Sequence, residues 1–428
     1  MTIQLFEMTL YIIGLITALI IFLPFSPMTI DLVNLSRDTQ IKIYKHRRVL
    51  WTITSVCFAL LLFFGVRGLF TSVGDFGNTA WLSESLTSPD TLWFRSALIT
   101  IPILTMLFWG GYVPFVMSPP NRHKLLTITD ADKIIRPDDT VLGLVHGNEA
   151  RAYLRDEIAR PHYFQDNVGK DSLTVSYCIL CNSSFAFKSE LEGKALNLKC
   201  VTAYNNNIIY YDSATENFIQ QLEAKVIDGP DKGKPLDILP VTLATWSDWK
   251  SLHPDTKFYS SPPTTLRDKM VGLMLQMMIP ISRLSKRTKP WHRIQSALDK
   301  RLPAMSLVLG VEINGESCGY PVIELSKDAV RIDTIGGQPI VVFYDKRLDI
   351  GGVFSSQIDS RTLTFIAATK PGTPVVAQDK ETGTFWDVSG KAYEGHFLGQ
   401  SLQPIPHFNK LFWFSWALFK PATRVGHK

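Results

Sequence analysis

Val141-Leu142-Gly143-Leu144-Val145-His146-Gly147-Asn148-Glu149 returns later in the chain as Val308-Leu309-Gly310, followed by Asn314-Gly315-Glu316. Val141 and Val308 are 167 positions apart. The same spacing separates Tyr153 from Tyr320, Asp166 from Asp333, Gly169 from Gly336 and Tyr177 from Tyr344. It continues through Asp212 and Asp379, Thr215 and Thr382, and Phe218 and Phe385. Trp246 and Trp249 pair with Trp413 and Trp416, and Pro254 pairs with Pro421. One spacing sustained over Gly, Tyr and Trp positions marks an internal repeat. The expectation is a tandem duplication, with a first repeat domain over 137–262 and a second over 303–424.

Each copy reads as β-rich. Val141–Val145 and Ala150–Tyr153 flank His146-Gly147-Asn148, a hairpin signal that the second copy keeps as Asn314-Gly315. Leu173–Tyr177 and Pro339–Tyr344 are β-branched runs. Phe185–Lys188 and Ala195–Val201 flank Glu192-Gly193 and predict another hairpin, with Leu363–Ala367 as the counterpart of its second strand. Helical spacing of Trp, Trp and an apolar residue predicts short helices at Trp246–Leu252 and Trp413–Phe419. The Trp pairs themselves read as packing residues.

Before the repeats lie three uncharged apolar runs, Met8–Phe25, Val49–Val66 and Ala97–Met117. Each approaches the about 20 residues that cross a hydrocarbon core, and Trp109 and Tyr112 are candidate interfacial anchors. Residues 1–120 are therefore expected to form a membrane region of three helices. Of the 428 residues, 46% are apolar and only 19% charged, which fits such a region joined to soluble parts. Arg37, Lys42, Lys45, Arg47 and Arg48 lie between the first two runs, whereas Asp75, Glu84 and Asp90 lie between the second and third. The positive-inside rule puts the first loop inside and everything after Met117 in the cytoplasm. The expected location is the cell membrane, multi-pass, with the lipid bilayer as partner.

Residues 263–302 fall outside the repeat. Met270–Ile281 is rich in Met and Leu. Around it stand Arg267, Lys269, Arg283, Lys286, Arg287, Lys289, Arg293, Lys300 and Arg301, against Asp268 and Asp299. This basic amphipathic linker fits either an anionic membrane surface or a packed helix with a solvated basic end. It carries no nucleic-acid reading motif.

Chemistry concentrates at Tyr177-Cys178-Ile179-Leu180-Cys181. Two thiols three positions apart can chelate one metal ion or close one disulfide. The stretch follows a predicted strand, so both sulfurs are expected in the turn that leaves it. His162 lies upstream and is the expected third ligand, with Cys200 and His146 as further candidates. At the 167-residue spacing Cys178 becomes Asp345, Cys181 becomes Leu348 and His162 becomes Ala329, so the three disappear as a set. Three chemistries remain open. Cys178, Cys181 and His162 could bind a transition metal ion (zinc, copper or iron); the thiols could cycle as a dithiol–disulfide pair; or the pair could be structural. Five cysteines, one of them Cys57 in an apolar run, make no secreted disulfide framework. No Ser/His/Asp arrangement, phosphate loop or paired-carboxylate pattern stands out, so no enzyme activity is named.

These residues resemble the bacterial and archaeal domain of unknown function 3179 family. The resemblance rests on Asn148-Glu149-Ala150-Arg151-Ala152-Tyr153, His162, the Cys stretch, Asn205-Asn206-Asn207, Tyr211-Asp212, Gln221, and Thr245-Trp246 through His253-Pro254-Asp255-Thr256. The second copy adds Asn314-Gly315-Glu316, Tyr320-Pro321 and Thr382-Gly383-Thr384-Phe385-Trp386. The chain departs from the family pattern at Pro161, Tyr163 and Ile219, where the family has Trp, Glu and Trp. The resemblance implies shared His and Cys positions without a reaction, and relatives that look exported set the extracytoplasmic side against the charge rule. Taken together, the expected architecture is a membrane-anchored α+β chain with three N-terminal transmembrane helices followed by two tandem β-rich repeat domains. A metal site is expected in the first repeat, serving a redox or maturation role, with a membrane protein as further partner. The alternatives are a thiol–disulfide oxidoreductase using Cys178 and Cys181, and a non-catalytic membrane scaffold.

Overall fold

The computed structural model describes residues 3–71, 92–117, 119, 123–262, 265–278 and 286–426. The chain divides into two compact units, Met1–Val116 and Met117–Lys428.

The first unit is helical. Its long helices are Ile3–Phe22, Arg47–Thr71 and Leu92–Gly111, and Ser36 caps a short helix, Arg37–Lys45, by accepting the Thr39 N–H. They pack along a seam of Ala18, Phe22, Phe58, Leu61, Ala97 and Phe108, all buried. Thr17 and Thr54 bond across that seam, Oγ1 to Oγ1 at 2.7 Å. This pairing satisfies two hydroxyls that water cannot reach. Ile12, Ile16, Ile20, Val56 and Phe63 point outward. The runs Gln4–Phe25 and Arg47–Phe64 are long and apolar enough, by length and composition, to cross a membrane. The third expected span is corrected: its apolar run, Leu92–Phe108, is shorter, with Arg95 in the first turn of the helix and Pro102 inside it. Tyr112 is not held out as an anchor. It is buried between Phe25 and Phe108, with ring centroids at 6.0 and 5.3 Å. The side chain of Trp109 and the acidic loop around Asp75, Glu84 and Asp90 lie outside the described residues.

The second unit is a mixed, mostly β structure, and its elements recur in order at the 167-residue spacing. Thr140–His146 and Glu149–Leu154 reappear as Leu307–Ile313 and Glu316–Pro321; Asp171–Cys178 and Ser183–Lys188 as Gln338–Asp345 and Ile350–Ser355. The helices Trp246–Leu252 and Trp413–Phe419 occupy the expected positions. One sheet of the first half runs, in spatial order, Lys124–Leu126, Lys257–Ser260, Glu149–Leu154, Thr140–His146 and Thr242–Thr245. The second half repeats its last four places with Arg424–Val425, Glu316–Pro321, Leu307–Ile313 and His407–Phe412. In both, the last strand in chain order, Lys257–Ser260 or Arg424–Val425, pairs in parallel with Glu149–Leu154 or Glu316–Pro321, whereas the other pairings in these two sheets are antiparallel.

The repeated Gly, Trp and Thr have one cause. A Cβ on Gly143 would sit 2.2 Å from the Trp249 ring, and one on Gly310 would sit 2.8 Å from Trp416. Each indole then donates its N–H to a threonine, Trp249 to Thr256 at 2.9 Å and Trp416 to Thr423 at 2.7 Å. The ring fills the hole left by the missing side chain, and the buried donor is satisfied.

The Glu192-Gly193 hairpin is corrected. The turn joins only the short strands Glu190–Leu191 and Lys194–Ala195. Ser183–Lys188 pairs instead with Asp171–Cys178, and Leu198–Tyr204 with Asn207–Asp212. Ser189 makes the break: its N–H reaches the Ser172 carbonyl, its carbonyl accepts the Leu196 N–H, and the chain leaves the sheet there.

The halves share a core. Val141, Trp246, Trp249 and Phe258 belong to one apolar cluster with Phe343, Phe354, Trp386 and Val388. Packing between the halves is reciprocal: Thr242–Thr245 lies against Ile350–Ser355, and His407–Phe412 lies against Ser183–Lys188. Among its described residues the intervening segment contributes one helix, Leu266–Met278, pinned by an Arg160–Asp268 ion pair at 3.1 Å. Further on, the His292 backbone exchanges two hydrogen bonds with the Asn206 side chain, at 2.7 and 2.9 Å.

Candidate functional site

The β-branched run Asp171–Cys178 pairs with Ser183–Lys188 down to a last rung, Cys178 with Ser183. The four residues between them make the turn, and Asn182 takes the left-handed conformation that closes it, φ 54°. The turn carries both thiols, yet Cys178, Ile179, Leu180 and Cys181 are all buried. Two distant segments cover it. Phe412 N–H donates to the Cys181 carbonyl at 3.0 Å, and Asn182 Nδ2 donates to the Lys410 carbonyl at 2.7 Å. On the other side, Asn206, held by His292, offers its carbonyl to the Cys178 thiol at 3.6 Å.

Hydrogen-bond donors converge on the Cys181 sulfur. Asn207 Nδ2 lies 3.3 Å away and Ser183 Oγ 3.1 Å. The Asn207 amide has only one workable orientation. Its Oδ1 receives the Leu222 backbone N–H at 2.9 Å and Gln220 Nε2 at 2.8 Å, so its NH2 must face Cys181 and Gln221. Gln221 extends the network: Oε1 accepts from Asn207 and Ser183, each at 2.6 Å, and Nε2 donates to Ser176 Oγ at 3.0 Å. Ser176 meets the Tyr210 hydroxyl at 2.8 Å, which donates to the His162 carbonyl at 3.0 Å. The Ser183 hydroxyl has a single proton. It can give this to Gln221 while accepting S–H from a neutral Cys181, or turn it to the sulfur once Cys181 ionises.

The two thiols are driven apart electrostatically. Burial pushes Cys178 well above the ordinary thiol value, and its S–H is shared with the other sulfur. Burial also opposes ionisation of Cys181, but hydrogen bonds from Cys178, Ser183 and Asn207 outweigh it and bring that thiol down to about 7. The cysteines are free thiols.

His162 does not join the sulfurs. It is buried, in the left-handed region at φ 67°, and its Nδ1–H donates to the Tyr177 carbonyl at 3.0 Å. Burial lowers its pKa to about 4, so the imidazole is neutral near pH 7. Its carbonyl accepts the Tyr177 N–H, a bond that Ala329 repeats toward Tyr344. The backbone of this position is therefore scaffold in both halves, and only the ring is peculiar to the first. Among the described residues, no three His, Cys, Asp or Glu side chains are grouped to hold a metal ion. Cys200 sits on the neighbouring strand opposite Tyr210, its thiol pushed up by burial, and His146 pairs with Asp171 at 2.6 Å.

The sequence reading brought Asn207 and Gln221 in as motif residues without roles, and it missed Ser176, Ser183, Tyr210 and Gln220. The repeat spacing holds the signal for most of them. Ser176, Cys181, Ser183, Tyr210 and Gln221 correspond to Phe343, Leu348, Ile350, Ala377 and Val388, all members of the shared apolar core. Where the second half is filled with hydrocarbon, the first half carries a buried polar network. Such groups are expensive to bury even when bonded, and Gln220 Oε1 and Ser184 Oγ have no hydrogen-bond partner among the described residues.

Comparison with curated proteins gave no match, and comparison with solved structures gave none. The family profile described as "Protein of unknown function (DUF3179)" matches residues 113–423, nearly the whole second unit, and by that match the chain belongs to the DUF3179 family.

Proposed function

We propose that Cys178 and Cys181 form a redox-active dithiol, set in the first half of a duplicated unit that is anchored to the cell membrane by its N-terminal helices. The observation that carries this is the converging donor set on Cys181. Asn207, Ser183 and the Cys178 thiol stabilise a thiolate at Cys181, and the thiolate is the nucleophile of thiol–disulfide exchange. In the reaction, the Cys181 thiolate attacks one sulfur of a partner disulfide and the partner's other sulfur leaves as a thiolate. Cys178 then loses its proton to that leaving group and attacks the Cys181 sulfur of the mixed disulfide. A Cys178–Cys181 disulfide forms, the partner keeps two thiols, and two electrons have passed to it. Because the donors favour the reduced form, the same exchange runs preferentially in reverse. A partner thiolate attacks Cys178 of the Cys178–Cys181 disulfide, and Cys181 leaves as the stabilised thiolate. The partner's second thiolate attacks the partner sulfur of the mixed disulfide and releases Cys178, and two electrons pass from the partner to the chain. Burial of both sulfurs requires the covering segments to open for a partner, a membrane protein being the natural one for an anchored chain.

The test is a redox titration of the full chain with trapping of free thiols and mass spectrometry. A reversible two-electron disulfide between Cys178 and Cys181, lost in Cys178→Ser and in Cys181→Ser, is expected. A folded chain that keeps both thiols at every potential sinks the proposal.

A second reading, a zinc, copper or iron ion on Cys178, Cys181 and His162, is supported by the joint replacement of the three in the second half. The Tyr177 carbonyl occupies Nδ1, so the imidazole would have to bind through Nε2 after a side-chain movement. Near-stoichiometric metal in the anaerobic reduced chain, removed by His162→Ala, would favour this reading over the first. The side of the membrane follows from parity. With the basic loop inside, three spans put the second unit in the cytoplasm and two put it outside. A reporter fused after Lys428 decides between them.

A further inference from the structure

The helix Leu266–Met278 keeps one face for the protein and turns another away from it. Val271 is 3% exposed, and Asp268 is tied to Arg160 at 3.1 Å. Leu266, Met270, Leu273 and Met277 are 75%, 50%, 59% and 70% exposed. At about 100° per residue these four fall within roughly 60° of arc, on the side away from Val271 and Asp268. A soluble helix with one packed face carries polar residues on the other; here the second face is a stripe of Leu and Met.

Cations bracket the stripe. Lys269 is exposed on the helix, and Lys286, Lys289 and Lys300 are exposed in the segment that follows. The two acids of this region are neutralised internally, Asp268 by Arg160 and Asp299 by Arg301 at 2.7 Å. The net outward character is therefore apolar and positive. That combination complements a bilayer surface with anionic headgroups: hydrocarbon enters the acyl boundary while the lysines stay at the phosphates. The same chain holds two helices long and apolar enough to cross a membrane, which would keep such a surface within reach.

We propose that Leu266–Met278 is an interfacial helix that lies on an anionic lipid surface through Leu266, Met270, Leu273 and Met277, with Lys269, Lys286 and Lys289 at the headgroups. The proposal is independent of the thiol chemistry.

The test uses the full chain with Leu273→Cys or Met277→Cys, each carrying a nitroxide, in vesicles of phosphatidylcholine with and without phosphatidylglycerol. The native chain, whose cysteines among the described residues are all buried, gives the labelling background, and Lys380→Cys, exposed on the second half, is the aqueous reference. Collision with oxygen, enriched in lipid, should exceed collision with a water-soluble nickel chelate several-fold at 273 and 277 but not at 380. The contrast should grow with phosphatidylglycerol, and that growth should be reduced in each of Lys286→Gln and Lys289→Gln. Labels as water-exposed as the reference in both lipids overturn the proposal. So do labels shielded from both reagents, which would mean that a second copy or another protein covers the stripe. Lipid exposure that ignores phosphatidylglycerol overturns the anionic part. Leu273 and Met277 are surface residues, so their replacement leaves folding intact.

Discussion

The two halves of the second unit are the same scaffold around different interiors. Both hold a Gly–Trp–Thr contact, both bond Tyr to Asp at equivalent places (Tyr153 to Asp166 at 2.9 Å, Tyr320 to Asp333 at 2.7 Å), and both close a strand end with a left-handed residue, Asn182 or Asp349. Inside, the first half places Ser176, Ser183, Asn207 and Gln221 where the second has Phe343, Ile350, Pro374 and Val388. A scaffold that folds with hydrocarbon there does not need the polar set for stability. The difference makes the buried polar network peculiar to the first half, while Lys410 and Phe412 of the second half cover its thiol turn. A smaller exchange teaches the same economy. Arg151 binds Asp166 and Glu149 from within its own strand; in the second half that position is Cys318, and Arg424, its neighbour on the next strand, binds Asp333 and Glu316 instead. One guanidinium has moved across one strand spacing without loss of either carboxylate partner.

The largest effect is expected from Arg151→Ala. It strands Asp166, whose carboxylate is buried, and should lower stability by about 3–5 kcal/mol in denaturant unfolding. A loss no larger than that of Arg424→Ala would break the comparison. Next comes Gln221→Val, which installs the second half's residue in the first. Asn207, Ser183 and Ser176 then each lose one of their hydrogen bonds, and the loss should be about 2–3 kcal/mol, read from the shift in unfolding midpoint.

The acid limb separates the halves by a histidine. Folding disfavours the charged form of His162, so its stabilising effect is complete above the ordinary value of 6.5 and fades as pH falls through about 4. His253 and His407 act in the same direction. In His162→Ala, the second half's residue, the stability-versus-pH curve between 6.5 and 4 should flatten. An unchanged slope would assign the acid sensitivity elsewhere.

Asn207→Leu sharpens the site itself. Without the amide, Cys181 should titrate at least about one unit higher in thiolate absorbance. The sign of the linkage follows: a thiol held at about 7 against an ordinary 9.0 stabilises the fold above 9.0 and stops doing so as pH falls through 7. Cys178, pushed up, works in the opposite sense above 9.0. The smallest effect is expected for Arg424→Ala, about 1 kcal/mol or less, because Arg424 and its partner Glu316 are both substantially exposed.

The sequence by itself determined the repeat, and through it much of the scaffold. The two Trp helices, the first hairpin and the Cys turn at a strand end follow from local chemistry: apolar periodicity, Asn and Gly where the backbone must turn left-handed, and a spacing that binds equivalent positions together. It also singled out a candidate site, since the loss of Cys178, Cys181 and His162 in the second half can be read from the chain alone. Three matters belonged to tertiary structure. The thiol turn is sealed by Lys410 and Phe412, more than two hundred residues away, and by His292 through Asn206, contacts that no local pattern carries. His162, close in sequence, commits its ring Nδ1–H to the Tyr177 carbonyl, and among the described residues it forms no metal-holding group with the sulfurs, which spacing alone does not reveal. One of the donors that lower Cys181, after Cys178 and Ser183, is an amide whose orientation is fixed by the Leu222 N–H, a contact that forms only when the strand Asn207–Asp212 is in place.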